Sequence, residues 1–209
     1  MKRGPVKHFR YVALVLLIAA GAGAMGAYVL SRGISARAEP TGVEAFIARR
    51  LRHFAIPRGA RDARNPVPAS AEVLAAGIAH FADHCASCHG NDGRGATLIG
   101  RGLYPKPPDM TAAATQELTD GELYYIIENG IRFTGMPAFG EEEGNLADTE
   151  SWHLVHFIRH LPAITDDELS QMKKMNPKSP MELDREERMR KFLAGDDTPS
   201  PEEGHEHNH

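Results

Sequence analysis

The chain has 209 residues, of which 42% are hydrophobic, and its 24 basic and 28 acidic side chains give a formal net charge of −4 at pH 7. Without its apolar N-terminal run and its polar terminal segments, about 90 to 130 residues remain, which is enough for one ordinary core. The sequence has no internal repeat, no phosphate-binding glycine loop and no basic-aromatic surface. We therefore expect a single small domain without a nucleic-acid partner.

The first predicted element is an uncharged run over residues 11–30, which is long enough to span a bilayer. Basic residues lie on both sides of the run, so charge alone leaves its orientation open. The tripeptide Ala36-Arg37-Ala38 resembles a signal-peptidase site, and cleavage after Ala38 is the alternative. Because the apolar core of a signal peptide usually has only about 7 to 15 residues, we favour a retained anchor over residues 1–31.

Residues 32–69 form a basic juxtamembrane segment. Eight arginines and three acidic residues between positions 32 and 64 give this stretch a net charge of +5. A short helix is predicted here, with arginines on one side and apolar residues on the other: Val43, Phe46, Ile47, Leu51 and Phe54. Such a helix suits either an anionic membrane face or packing on the next domain, and the sequence leaves both open. Asn65-Pro66-Val67-Pro68 then predicts a stiff linker.

A helix predicted from about Ser70 leads into Cys85-Ala86-Ser87-Cys88-His89, which contains both cysteines of the chain. This C-x-x-C-H pattern is typical of c-type haem attachment, because each thiol can form a thioether with a haem vinyl group while the adjacent histidine ligates the iron. A zinc site would need two further ligands, and a thioredoxin-type pair would follow a strand; neither context is present. We predict one covalent haem c on Cys85 and Cys88, with iron bound by His89.

The second iron ligand determines whether the haem transfers electrons or binds small molecules. Gly135-Met136-Pro137 lies in a non-periodic stretch 47 residues after His89, beyond a predicted helix that begins at Thr119 and ends before Gly130. Met110 is the competing methionine, but only 21 residues separate it from His89, which leaves little chain to pass round a haem. We therefore predict Met136 as the second iron ligand.

Taken together, these motifs resemble class I cytochrome c. Gly77 and Phe81 precede Cys85 at four-residue intervals, as in the N-terminal helix of that family, and Leu154 and Phe157 match the apolar pair of its C-terminal helix. The loop around Met136 resembles the axial-methionine loop of the family. The resemblance covers residues 71–162. It implies an all-α fold, a small helical bundle round one haem, and electron transfer rather than enzymatic activity.

The resemblance also implies that the haem is attached outside the cytoplasmic membrane. We therefore expect a single pass through a bacterial inner membrane, with the haem domain in the periplasm. Thirteen acidic and five basic residues give the haem domain a net charge of −8, so we expect redox partners with a basic docking surface. The alternatives are a haem-bearing subunit of a larger dehydrogenase or oxidase complex and, less favoured, a five-coordinate haem sensor or peroxidase-like protein.

Three further features complete the predictions. The candidates for contact with the haem propionates are Arg94, Arg101, Tyr104 and Arg132. Residues 163–195 predict a charged helical extension, and residues 196–209 predict a disordered tail. In that tail His205, His207 and His209 could bind a transition metal, although an inert solvated tail is the simpler interpretation.

Overall fold

A computed structural model describes residues 5–31, 33, 35–141, 146–178 and 180–194. In these ranges the protein is helical and has no strand, which confirms the expected all-α fold. The predicted metal site at His205, His207 and His209 lies outside the described residues. The helices are α1 (Pro5–Ser31), α2 (Gly42–Ala55), α3 (Arg58–Arg61), α4 (Ala71–His80), α5 (Ala86–His89), α6 (Leu98–Arg101), α7 (Ala113–Gln116), α8 (Asp120–Asn129), α9 (Thr149–His160), α10 (Asp166–Met175) and α11 (Pro180–Leu193).

The N-terminal helix α1 contains the predicted apolar run. Its 23 residues from Phe9 to Ser31 are apolar enough to cross a membrane, and none of them is buried against another described part of the protein. An apolar helix of this length without a protein partner is compatible with a bilayer environment.

The core is built on a close crossing of α4 and α9. A methyl group on Gly77 would overlap the carbonyl oxygen of His153 and would lie 3.0 Å from Cβ of Phe157. The rings of Phe81 and Phe157 then pack with their centroids 4.8 Å apart, and both side chains are fully buried. Gly77 therefore allows the second helix to cross at short range.

Helix α8 lies beside α9 and begins and ends where the sequence predicts. Thr119 and Glu122 form a reciprocal capping box at its N-terminus, and Gly130 ends it with a φ of 63°. The rings of Tyr124 and Trp152 stack with centroids 4.1 Å apart, which joins α8 to α9.

The segments that flank residues 71–162 are fixed to this domain. Asn65 donates a hydrogen bond from Nδ2 to the carbonyl oxygen of Trp152 at 3.0 Å, and His156 Nε2 lies 2.8 Å from the carbonyl oxygen of Val67. The predicted linker is therefore not a free spacer, because it is hydrogen-bonded to α9. After α9, the side chain of Met172 in α10 is fully buried in the core, so the predicted charged extension contributes to packing.

We predict that Gly77→Ala destabilises the protein by about 1 to 3 kcal/mol, because the added methyl group must push α9 away from α4. The free energy of unfolding, measured by denaturant titration, tests this. Gly59→Ala is the control, since its methyl group would meet nothing within 4 Å. Equal stabilities of the two variants would contradict the crossing described above.

Candidate functional site

The C-x-x-C-H segment is held against the core by the helix that precedes it. A π-helical turn over Phe81–Cys85 continues α4 into α5, and the side chains of Phe81 and Ala82 are buried. Gly90 ends α5 with a φ of 74°, and its N–H donates to the carbonyl oxygen of Ala86 at 2.8 Å. Because Phe81 is anchored in the α4–α9 crossing, the cysteines and His89 have a fixed position.

The two cysteines, His89 and Met136 line one cavity of about 300 Å³. The structure therefore brings together all four site residues that the sequence predicts. Most of the remaining wall is apolar, and it includes Phe81, Leu103, Met110, Leu118, Leu123, Ile126, Ile127, Ile131, Leu154 and Ile158. A flat apolar group with an ionic edge suits such a wall.

His89 is buried, with 8% of its surface exposed. Burial lowers its pKa to about 4, so the imidazole is neutral at neutral pH. Its buried Nδ1 has no hydrogen-bond partner among the described residues. A neutral imidazole whose position is fixed by packing is the form that binds iron.

Cys85 and Cys88 carry free thiols, without a disulfide between them. Burial, with a smaller contribution from the neighbouring Cys88, raises the pKa of Cys85 to about 12, so the Cys85 thiol is protonated. A redox-active or zinc-binding cysteine has a lowered pKa instead. The described residues also contain no cluster of three or more His, Cys, Asp or Glu side chains that could hold a metal ion. Among the described residues, no further side chains join the cysteines in a zinc-type cluster, and the Cys85 thiol is not activated by a lowered pKa.

Met136 reaches the cavity from the loop that follows α8. Ile131 donates its N–H to the carbonyl oxygen of Met136 at 3.1 Å, and the N–H of Met136 lies 3.1 Å from Thr134 Oγ1. At Gly130 a Cβ would lie 2.6 Å from the same carbonyl oxygen, so the loop packs directly on the end of α8. These contacts fix the backbone on both sides of the half-buried Met136 side chain.

Met110 also lines the cavity and is buried. Its N–H donates to the carbonyl oxygen of Gly93 at 2.8 Å, and Gly95 in turn donates to the carbonyl oxygen of His89 at 2.7 Å. These bonds tie the backbone of Met110 to the turn that follows His89. Met136 comes instead from a separate loop, and both methionines line the cavity.

The charged groups of the cavity wall differ from those that the sequence suggested. The wall includes the cations Arg52 and Lys106, and none of its described residues is an aspartate or glutamate. The four predicted propionate contacts, Arg94, Arg101, Tyr104 and Arg132, are not part of it. Sequence reasoning placed Arg52 on the polar side of an amphipathic helix, but helical periodicity does not reveal what that side contacts.

These features fit a covalently attached haem. The free thiols, the neutral imidazole and a methionine all line the cavity, and the rest of its lining is largely apolar. Arg52 and Lys106, with no carboxylate among the described lining residues, suit the anionic propionates of the macrocycle.

A family model described as cytochrome C oxidase, cbb3-type, subunit III matches residues 72–158. These residues run from α4 to α9 and include the C-x-x-C-H segment and Met136. No curated protein matches the chain.

Proposed function

Because residues 72–158 are a class I c-type cytochrome domain, we propose that the chain is a membrane-tethered carrier of single electrons with His89 and Met136 as axial ligands. The observation that carries the proposal is the shared cavity, which both side chains line from different segments. The two cysteines allow one C-x-x-C-H site, and therefore one haem.

The bound haem would supply one-electron chemistry at its iron. Cys85 and Cys88 hold the cofactor in one orientation, and the apolar wall keeps water from it. His89 and Met136 would hold its iron, so oxidation and reduction would need little movement of protein ligands. A soft thioether donor also favours the reduced state and raises the potential relative to a second histidine. With both side chains bound, the iron would have no open position for a substrate, which is the reason to prefer a carrier over a haem sensor or peroxidase-like protein.

A redox partner would dock beside the methionine loop. Phe133 in this loop has 94% of its surface exposed, and Phe139 is also exposed and lines the cavity. Exposed apolar residues next to a redox centre suit the weak, short-lived complexes that electron carriers form. The net charge of −8 over residues 71–162 favours a partner with a basic surface, because opposite charges accelerate the encounter.

The membrane tether is supported by two neighbouring elements. The apolar helix α1 has the length of a bilayer span, and only residues 32–41 separate it from α2. On α2 the apolar side chains remain exposed, namely Val43, Phe46, Ile47, Leu51 and Phe54. We propose that this face lies on the surface of the same membrane, with Arg49 and Arg50 near the lipid head groups. Haem attachment would then place the domain in the periplasm.

A second candidate is a haem-bearing subunit of a larger complex. It is favoured by the description of the matching family model, which names an oxidase subunit. In that case the partner would be a permanent neighbour rather than a protein met by diffusion.

One preparation tests both the membrane anchor and the alternative of a larger complex. The haem protein is solubilised from membranes with a mild detergent. We predict that its intact mass is that of a chain that keeps residues 1–38. We also predict that it purifies without stoichiometric partners. A mature chain that begins at Glu39 would overturn the anchor. A fixed set of co-purifying subunits would show that the protein is a subunit of a larger complex and not a free carrier.

The methionine ligand is tested by a matched pair of variants. We predict that Met136→Leu removes the weak long-wavelength absorption band that a thioether sulfur gives with ferric iron, and that it lowers the reduction potential. Met110→Leu keeps the band, although it changes the same cavity by a similar volume. Loss of the band in Met110→Leu alone would show that Met110, and not Met136, binds the iron.

A further inference from the structure

The segment that precedes residue 72 reaches the cavity in two ways: it contacts Lys106 in the cavity wall, and it supplies Arg52 to that wall. Lys106 Nζ lies 3.4 Å from the carbonyl oxygen of Ala36, 3.3 Å from that of Arg37 and 3.6 Å from Glu39 Oε1. Arg52, in α2, is itself part of the cavity wall. The partners of Lys106 and Arg52 itself all precede residue 72, so the surroundings of the cavity extend beyond the matched residues 72–158.

Helix α2 presents Arg52 on the side that faces the domain. Ala45 and Arg52 are half-buried and Ile56, just beyond the helix, is buried; these three positions share one side at helical spacing. Phe46 and Phe54 lie on the other side and are exposed. The direction of Arg52 is therefore set by the packing of the whole helix.

A hydrogen-bonded chain fixes α2 to the start of α8. Arg61 lies 3.0 Å from His53 Nε2, and a guanidinium can only donate, so Nε2 accepts. His53 Nδ1 then carries the proton and donates to Glu122 Oε1 at 3.0 Å. At Gly121 a methyl group would overlap the carbonyl oxygen of Ala60, so the chain after α2 lies directly on α8. These contacts hold Arg52 at the cavity.

One nitrogen of the Arg52 guanidinium is buried without a hydrogen-bond acceptor. Its Nε is buried and has no hydrogen-bond partner among the described residues. The nearby carboxylate of Glu122 is already engaged, since Oε1 accepts from His53 and Oε2 accepts from the N–H of Thr119 at 2.9 Å. Burial lowers the pKa of Arg52, and Glu122 opposes this only in part. A buried donor without an acceptor is costly, and the described residues of the cavity wall offer no carboxylate.

We propose that Arg52 donates to a propionate of the haem in this cavity, so that the segment between the membrane anchor and the cytochrome domain completes the haem site. The inference rests on the proposed function, because it requires the haem to occupy this cavity. The haem carboxylate then supplies the acceptor that Arg52 lacks. A cation beside the haem also disfavours the ferric state, which carries one more positive charge than the ferrous state, and so raises the reduction potential.

Arg52→Gln tests the electrostatic consequence. At a fixed ambient potential, we expect the ratio of reduced to oxidised protein to fall by about threefold, which corresponds to about 28 mV at 59 mV per tenfold change for one electron. Arg50→Gln is the matched control, because it removes the same charge from the exposed side of α2, where the guanidinium lies 5.4 Å from the centroid of the Phe46 ring. We expect the control to change the ratio by much less, since solvent and salt screen an exposed charge.

Arg52→Lys adds a readout that does not depend on the potential. We expect the reduction potential of Arg52→Lys to stay close to that of the wild type, because the charge remains. The propionate bending band in the resonance Raman spectrum should shift, because the hydrogen bond changes. If Arg52→Gln does not yield haem protein, this band in Arg52→Lys decides the question. An unchanged band in Arg52→Lys, or equal potentials of Arg52→Gln and the wild type, would overturn the inference. A wild-type protein without covalent haem would instead overturn the proposed function.

Discussion

The crossing of α4 and α9 at Gly77 is the constraint on which the rest of the structure depends. Glycine lets the two backbones approach closely enough for Phe81 and Phe157 to pack fully buried between them. Phe81 begins the turn that leads to Cys85, so the crossing determines where the thiols and His89 lie. A cofactor attached through these residues is thereby held against α9 and α8, and the loop after α8 brings Met136 to the same cavity.

The second organising feature is the separation of charge. The domain over residues 71–162 is strongly acidic, yet no carboxylate is among the described residues that line its cavity. The preceding segment is basic and supplies Arg52 to that cavity, while its apolar side chains point away from the domain. Helix α2 therefore has two distinct sides, one at the cavity and one exposed. A tether built in this way would influence both the orientation of the haem and its potential.

Much of this arrangement could be predicted from local sequence. Capping residues at Thr119 and Thr165, the stop at Gly130 and the spacing of Gly77, Phe81 and Cys85 each act over a few residues, and the structure contains the helices that they indicate. Contacts between distant segments could not be predicted. Nothing in the proline-rich stretch before α4 reveals its hydrogen bonds to α9, and periodicity alone does not show that Arg52, rather than Arg94 or Arg132, lines the cavity.

The central claim is that protein side chains occupy both axial positions of a single haem. The electron paramagnetic resonance spectrum of the oxidised wild-type protein tests it most directly, because the spin state of ferric iron reports the strength and number of its axial ligands. We predict a low-spin ferric signal from one haem, with His89 and Met136 both bound. A predominantly high-spin signal would show an open axial position and would contradict the account of this protein as an electron carrier.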